Sequence, residues 1–177
     1  MGTARERILD AAEELIVSGQ VPPALDAVAA AAGVSKGGLL YHFDKRALLN
    51  ALVTRAVRRF DERLTVAAAE GLMADAWLRL SVPGPSERTL YRAMVSMLRL
   101  SATGELDLPD EVADAEQRWQ EMLTAELGDP VRARTVRLVG DGLLMAALAG
   151  RPATTGEVEE LLRHLGLRGA PSDEGRP

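Results

Sequence analysis

The side chains able to bind something gather in one short stretch, Gly33-Val34-Ser35-Lys36-Gly37-Gly38-Leu39-Leu40-Tyr41-His42-Phe43. It sets a hydroxyl, an ammonium, a phenol and an imidazole close together. Such donors suit phosphate oxygens and base edges better than bond-breaking chemistry. Gly37 and Gly38 cost about 1 kcal/mol each relative to alanine inside a helix, and close approach of backbone to phosphate is a reason to keep them. Catalysis finds little support elsewhere. There is no cysteine, so disulfides, thiolate metal sites and a thiolate nucleophile are all excluded. His42 and His164 lie far apart with no ligand spacing around either, which argues against zinc. No Ser–His–Asp set has a convincing context, and no glycine-rich loop joins a strand to a helix. The expectation is a non-enzyme with no catalytic residue, no metal and no cofactor.

Charge places any polyanion-binding surface in the first third. The net charge is -5, but it divides unevenly. Residues 1–64 carry nine Lys and Arg against eight Asp and Glu, whereas residues 65–177 carry twelve against eighteen. Nineteen of the cationic residues are arginine, and the only two lysines, Lys36 and Lys45, fall in or beside the donor stretch. Arg55, Arg58, Arg59 and Arg63 form a second basic run, which either steers DNA or is a solvated face paired with Asp61 and Glu62. No apolar run approaches the ~20 residues of a membrane span. The opening TARERILDAAEELI is charged and amphipathic, without the apolar segment of a signal peptide. A cytoplasmic protein with no membrane partner is expected.

The elements that must position these groups are all helical. Ile8, Ala12, Leu15 and Ile16 give residues 4–18 an apolar face, and Gly19 ends that helix. Leu25, Val28, Ala29 and Ala32 form the face of a short second helix stopped by Gly33. Ser35 caps a third over roughly 36–43, with Leu39 and Phe43 as core. Asp44 caps a fourth running to about Ala69, striped by Leu48, Leu52, Ala56, Phe60 and Leu64. Helices follow over 72–81, 86–102 and 107–127. The next opens at the Asp129-Pro130 cap, and the last at the capping box Thr154-Thr155-Gly156-Glu157. The total is about nine helices and no strand. The run LVGDGLLMAAL at 138–148 is apolar almost all round and should be covered on more than one side.

AGVSKGGLLYHF followed by DKRALL resembles the AGVSxGxLYxYFxxKxxLL signature of TetR-family regulators, and the match runs from Ile8 to Leu49. The resemblance implies an all-α fold. A three-helix helix-turn-helix domain over 1–46 precedes a helical effector-binding and dimerisation domain over 47–167, with residues 168–177 as a disordered tail. It also implies a homodimeric regulator, a repressor released from double-stranded operator DNA by a small molecule. The positions carried over as DNA contacts are Ser35, Lys36, Gly37, Gly38, Leu40, Tyr41, His42 and Lys45. Read singly, one of Tyr41 and His42 either reaches DNA or packs against the first helix. Three positions depart from the pattern. Pro23 and Ala24 stand where Thr-Thr often opens the second helix, and Leu40 stands where tyrosine is common. The segment between Phe43 and Lys45 is one residue shorter.

Beyond the motif, Trp77, Tyr91, Met94, Met97, Leu98, Trp119, Met122, Asp141 and Met145 are candidates to line an apolar effector cavity. Each alone is equally suited to ordinary core. Asp141 interrupts an apolar run, so it pairs with an arginine, meets a neighbouring helix or faces a polar group of an effector. The effector expected is an uncharged or weakly polar organic compound, because no cysteine or histidine cluster suits a metal or redox signal. Leu143, Ala147, Val158, Leu161 and Leu165, on the last two helices, are the candidate dimer interface. The alternative reading is a helical adaptor that has lost DNA binding.

Overall fold

In the computed structural model, residues 2–20, 22–85, 87–88, 91 and 109–167 are described. They form eight helices, and none of the described residues is in a strand. These are α1 (Ala4–Val17), α2 (Leu25–Ala32), α3 (Lys36–His42), α4 (Lys45–Ala69), α5 (Met73–Leu80), α6 (Asp110–Leu127), α7 (Pro130–Leu148) and α8 (Thr155–His164). The helix expected over 86–102 lies almost entirely outside the described residues, as does the tail over 168–177. The chain divides into two compact units, Met1–Val57 with Gly84–Val112 and Arg58–Pro83 with Ala113–Pro177.

In the first unit, α1 packs on α2 and α2 on α3. Thr3 accepts the Glu6 N–H at 3.2 Å and starts α1, which buries Ile8, Leu9, Ala12 and Ile16. Val28 and Ala29 of α2, Leu39 of α3, Phe43, and Leu48 and Leu52 of α4 complete this core. Arg55 of α4 turns back to the acidic face of α1, where it meets Glu6 at 4.0 Å, Glu13 at 3.5 Å and Asp10. The basic run on α4 is therefore tied at Arg55 to the first helix.

The second unit is organised around α5. Leu72 gives α5 no side-chain cap. The Glu126 carboxylate of α6 takes that role, accepting the Met73 N–H and, at 3.0 Å, the Ala74 N–H. A carboxylate here satisfies orphan donors and complements the helix dipole. Arg79 closes the other end of α5, donating to Asp75 at 2.7 Å and meeting Glu159 of α8 at 2.6 Å. Phe60, Trp77 and Trp119 pack with ring centroids 5.2–5.8 Å apart. Both indole N–H groups are used. Trp77 donates to the Arg137 carbonyl at 3.2 Å and Trp119 to Asp61 at 2.7 Å, while Arg118 also donates to Asp61 at 3.0 Å.

Gly140 lets Trp77 reach α7. A Cβ there would lie 2.2 Å from Trp77 Nε1 and 2.8 Å from the Ser81 hydroxyl, which is buried and donates to the Trp77 carbonyl. Within one chain the run 138–148 is covered on one side only. Gly140 and Ala147 face the core, while Leu138 and Met145 are 61 % and 55 % exposed. Asp141 lies on the open side of α7. Partial burial and nearby Glu116 hold its carboxyl above the usual carboxylate range against the opposing pull of Arg137. Arg137 itself is engaged by Glu116, whose carboxylate lies at 3.5 Å and whose carbonyl accepts at 3.0 Å.

Adding one methyl group at position 140 should dislodge the Trp77 ring. Gly140→Ala is expected to cost about 1–3 kcal/mol of stability, the range for overpacking a filled core. Urea unfolding followed by tryptophan fluorescence measures it. A variant with parental stability and unchanged emission would contradict the notch.

Candidate nucleic-acid interface and effector region

The geometry of α3 begins at Gly33. Its φ of 66° and ψ of 35° are left-handed, a conformation that costs a side chain energy and that glycine adopts freely. The chain reverses there, and the Val34 N–H returns to the Ala29 carbonyl at 3.0 Å. Ser35 then caps α3, its hydroxyl accepting the Gly38 N–H at 3.0 Å. A Cβ on residue 38 would stand 3.2 Å from that hydroxyl. Gly38 thus has a local reason to be glycine, room for the cap, besides the close phosphate approach expected from sequence. At Gly37 the nearest atom to an added Cβ is 4.0 Å away, so packing alone does not demand glycine there.

This frame sorts the donor stretch into two faces. Leu39 and Phe43 turn inward at 0 % and 4 % exposure, and the Arg5 guanidinium lies 5.0 Å over the Phe43 ring. Leu40 and Tyr41 stand outward at 48 % and 86 % exposure. His42 is exposed too, its ring edge-on to Tyr41 at 5.2 Å. Neither Tyr41 nor His42 is buried against α1. Ser35, Lys36, Gly37 and Lys45 are also exposed, and Gly38 is half-buried. Asp44 caps α4 through the Ala47 N–H at 2.7 Å, which sets Lys45 at the first position of that helix.

The α2 start carries the departure noted at Pro23 and Ala24. Ala24 is the capping residue and makes no side-chain hydrogen bond. Sequence reasoning passed over Asp26 in the first turn of α2. Its carboxylate lies 2.9 Å and 3.2 Å from the Lys36 ammonium. An acid in the first turn of a helix, followed by a lysine that opens the next one, was the available signal.

The effector candidates fall into three groups. Trp77 and Trp119 are brought together and buried, and Met122 is half-buried. Asp141 and Met145 are on the open side of α7. Tyr91 is half-buried, while Met94, Met97 and Leu98 lie outside the described residues. Among the interface candidates, Ala147 and Val158 are buried inside the chain at 0 % and 4 % exposure, so they offer almost no surface to a partner. Leu143 and Leu161 line a surface groove of about 450 Å³ with Ala153, Glu160 and His164, and Leu165 is half-buried. No described helix is long and apolar enough to cross a membrane. The described residues also hold no cluster of His, Asp and Glu fit to bind a metal ion.

Residues 8–52 match the bacterial regulatory proteins of the tetR family, and residues 76–166 match the tetracyclin repressor-like C-terminal domain. Solved structures share the fold over nearly the whole chain. The multidrug binding protein EbrR, complexed with malachite green, is 25% identical, with a TM-score of 0.64 over 91% of this chain and 96% of that one. A member of the TetR family from Streptomyces coelicolor A3, SCO1917, is 26% identical, with a TM-score of 0.62 over 93% of this chain and 98% of that one. NalD, the secondary repressor of the MexAB-OprM multidrug efflux pump in Pseudomonas aeruginosa, is 21% identical with a TM-score of 0.55, covering 92% and 94% of the two chains. None of the curated proteins is significantly similar in sequence. With the capped reversal at Gly33 and both halves matched, the chain belongs to the TetR family of bacterial transcription regulators.

Proposed function

We propose that the protein is a transcriptional repressor that holds double-stranded operator DNA as a homodimer and releases it when a small organic molecule binds its C-terminal unit. The observation that carries the reading is the outward face of α3. Leu40, Tyr41 and His42 stand exposed on a helix anchored from behind by Leu39 and Phe43. Tyr41 and His42 offer donors to phosphates or base edges, and Leu40 offers an apolar surface to a thymine methyl. Lys45 sits at a helix N-terminus, where dipole and ammonium both favour phosphate. It has no acidic partner among the described residues.

The effector half of the proposal draws on composition and likeness. Trp77, Trp119 and Phe60 form an aromatic cluster whose two indoles are buried, and Met122 follows Trp119 by one turn of α6, so the composition suits an apolar ligand that would have to part these rings. The EbrR relative is described as a multidrug binding protein and holds malachite green. An organic compound with a large apolar surface is the matching effector class.

A single helix-turn-helix buries too little surface for specific affinity, so two must be joined. Val131, Leu138 and Met145 support that joining. They repeat every seven residues along α7 at 73 %, 61 % and 55 % exposure. Such a stripe fits a second helix packed lengthwise. The stripe supports an interface that takes in the open side of α7, a face that the candidates read from sequence spacing did not include.

Lys45→Ala should weaken binding to every duplex and lower the slope of log affinity against log salt by about 0.9, one phosphate contact. A mobility-shift series across salt reads this. In the same assay, apolar compounds that raise the melting temperature of the protein should release the duplex. An unchanged slope would remove Lys45 from the interface, and stabilising compounds that leave the complex intact would refute effector release.

Leu138→Arg puts a charge on the exposed stripe and should leave helix content intact, since the residue is 61 % exposed. Light scattering should then report monomers where the parent is a dimer. A dimeric variant would place the interface elsewhere.

A further inference from the structure

The Lys36 ammonium and the Asp26 carboxylate form an ion pair between the first residue of α3 and the first turn of α2. Both carboxylate oxygens are engaged, at 2.9 Å and 3.2 Å. Both side chains are open to solvent, at 63 % and 71 % exposure. The pair is on the surface, not in a core that needs it. Between Gln20 and Arg46 the sequence has three permanent cations, Lys36, Lys45 and Arg46, and two anions, Asp26 and Asp44. Asp44 is accounted for as the cap of α4. Asp26 accepts no backbone hydrogen bond among the described residues, where Lys36 is its one partner.

We infer that Asp26 is an intramolecular competitor for phosphate, a residue that sets DNA affinity by holding the Lys36 ammonium in the unbound protein. The inference rests on the DNA-binding reading above. A phosphate that takes Lys36 must first separate it from Asp26, and it leaves a bare carboxylate beside the duplex. Considered together, the two side chains add no net charge to the surface. Their joint contribution to counterion release is therefore close to nil, although Lys36 alone would supply a full contact. Exposed pairs of this kind are weak, so DNA can win the exchange and the effect on affinity is a tuning rather than a block.

Asp26→Asn keeps the shape and removes the charge. At low salt it should bind duplex DNA about threefold more tightly than the parent, the scale of one exposed ion pair. The salt slope should steepen by about 0.9. A double-mutant cycle supplies the second readout. If Lys36 leaves Asp26 on binding, Lys36→Gln must cost more affinity in the Asp26→Asn background than in the parent. Circular dichroism of each variant checks that α2 still forms. Equal costs of Lys36→Gln in the two backgrounds would mean that the pair persists on DNA, and would overturn the inference. So would an Asp26→Asn variant that binds no better than the parent, because Asp26 would then be positioning Lys36. Failure of every protein, the parent included, to bind duplex DNA with salt dependence would overturn the DNA reading itself, and this inference with it.

Discussion

The left-handed turn at Gly33 is the constraint on which the outward face of α3 depends. A helix that ended without it would not reverse there, and the Val34 N–H would lose its return to the Ala29 carbonyl, which sets α3 against α2. With two glycines among seven residues, α3 has poor intrinsic helix propensity. What keeps it helical is the cap at one end and the burial of Leu39 and Phe43 beneath it. Those two anchors also fix which side chains face out. The chemistry of the motif is thus a consequence of packing on the opposite face.

The second unit solves a different problem. Its core includes two tryptophans, whose indole N–H groups must find acceptors when buried. Asp61 answers one, and a helical carbonyl exposed by the absence of a side chain at Gly140 answers the other. α5 has no cap of its own, yet a carboxylate from α6 and an arginine pairing to α8 hold both its ends. These polar ties make α5 the element through which α6, α7 and α8 are registered. They also leave one face of α7 without cover, where Leu138 and Met145 emerge.

Local signals carried much of this. Ser35, Asp44, Asp129 and the Thr154–Glu157 box all cap the helices that their positions announced, because a cap needs only its own next turn. Gly33 was legible for the same reason. What escaped the sequence depends on partners far along the chain. Gly140 reads as a flaw in an apolar helix until Trp77, sixty-three residues earlier, is set against it. Arg55 reads as part of a solvated basic run, though its partners are three acids on α1. Ala147 and Val158 share an apolar stripe with half-buried neighbours, and periodicity alone does not say which side of a stripe meets the protein's own core. Asp26 was overlooked because an acid at a helix start has a sufficient local role.

The central claim is that the outward face of α3 reads duplex DNA through two symmetric copies. The most direct test is selection from a pool of random duplexes by the full-length protein, with the bound fraction sequenced over successive rounds. The account predicts enrichment of an inverted repeat whose half-site centres are about one helical turn of DNA, ~34–36 Å, or a multiple of that apart. A pool that stays random after repeated rounds, or that yields a single half-site without symmetry, would contradict it.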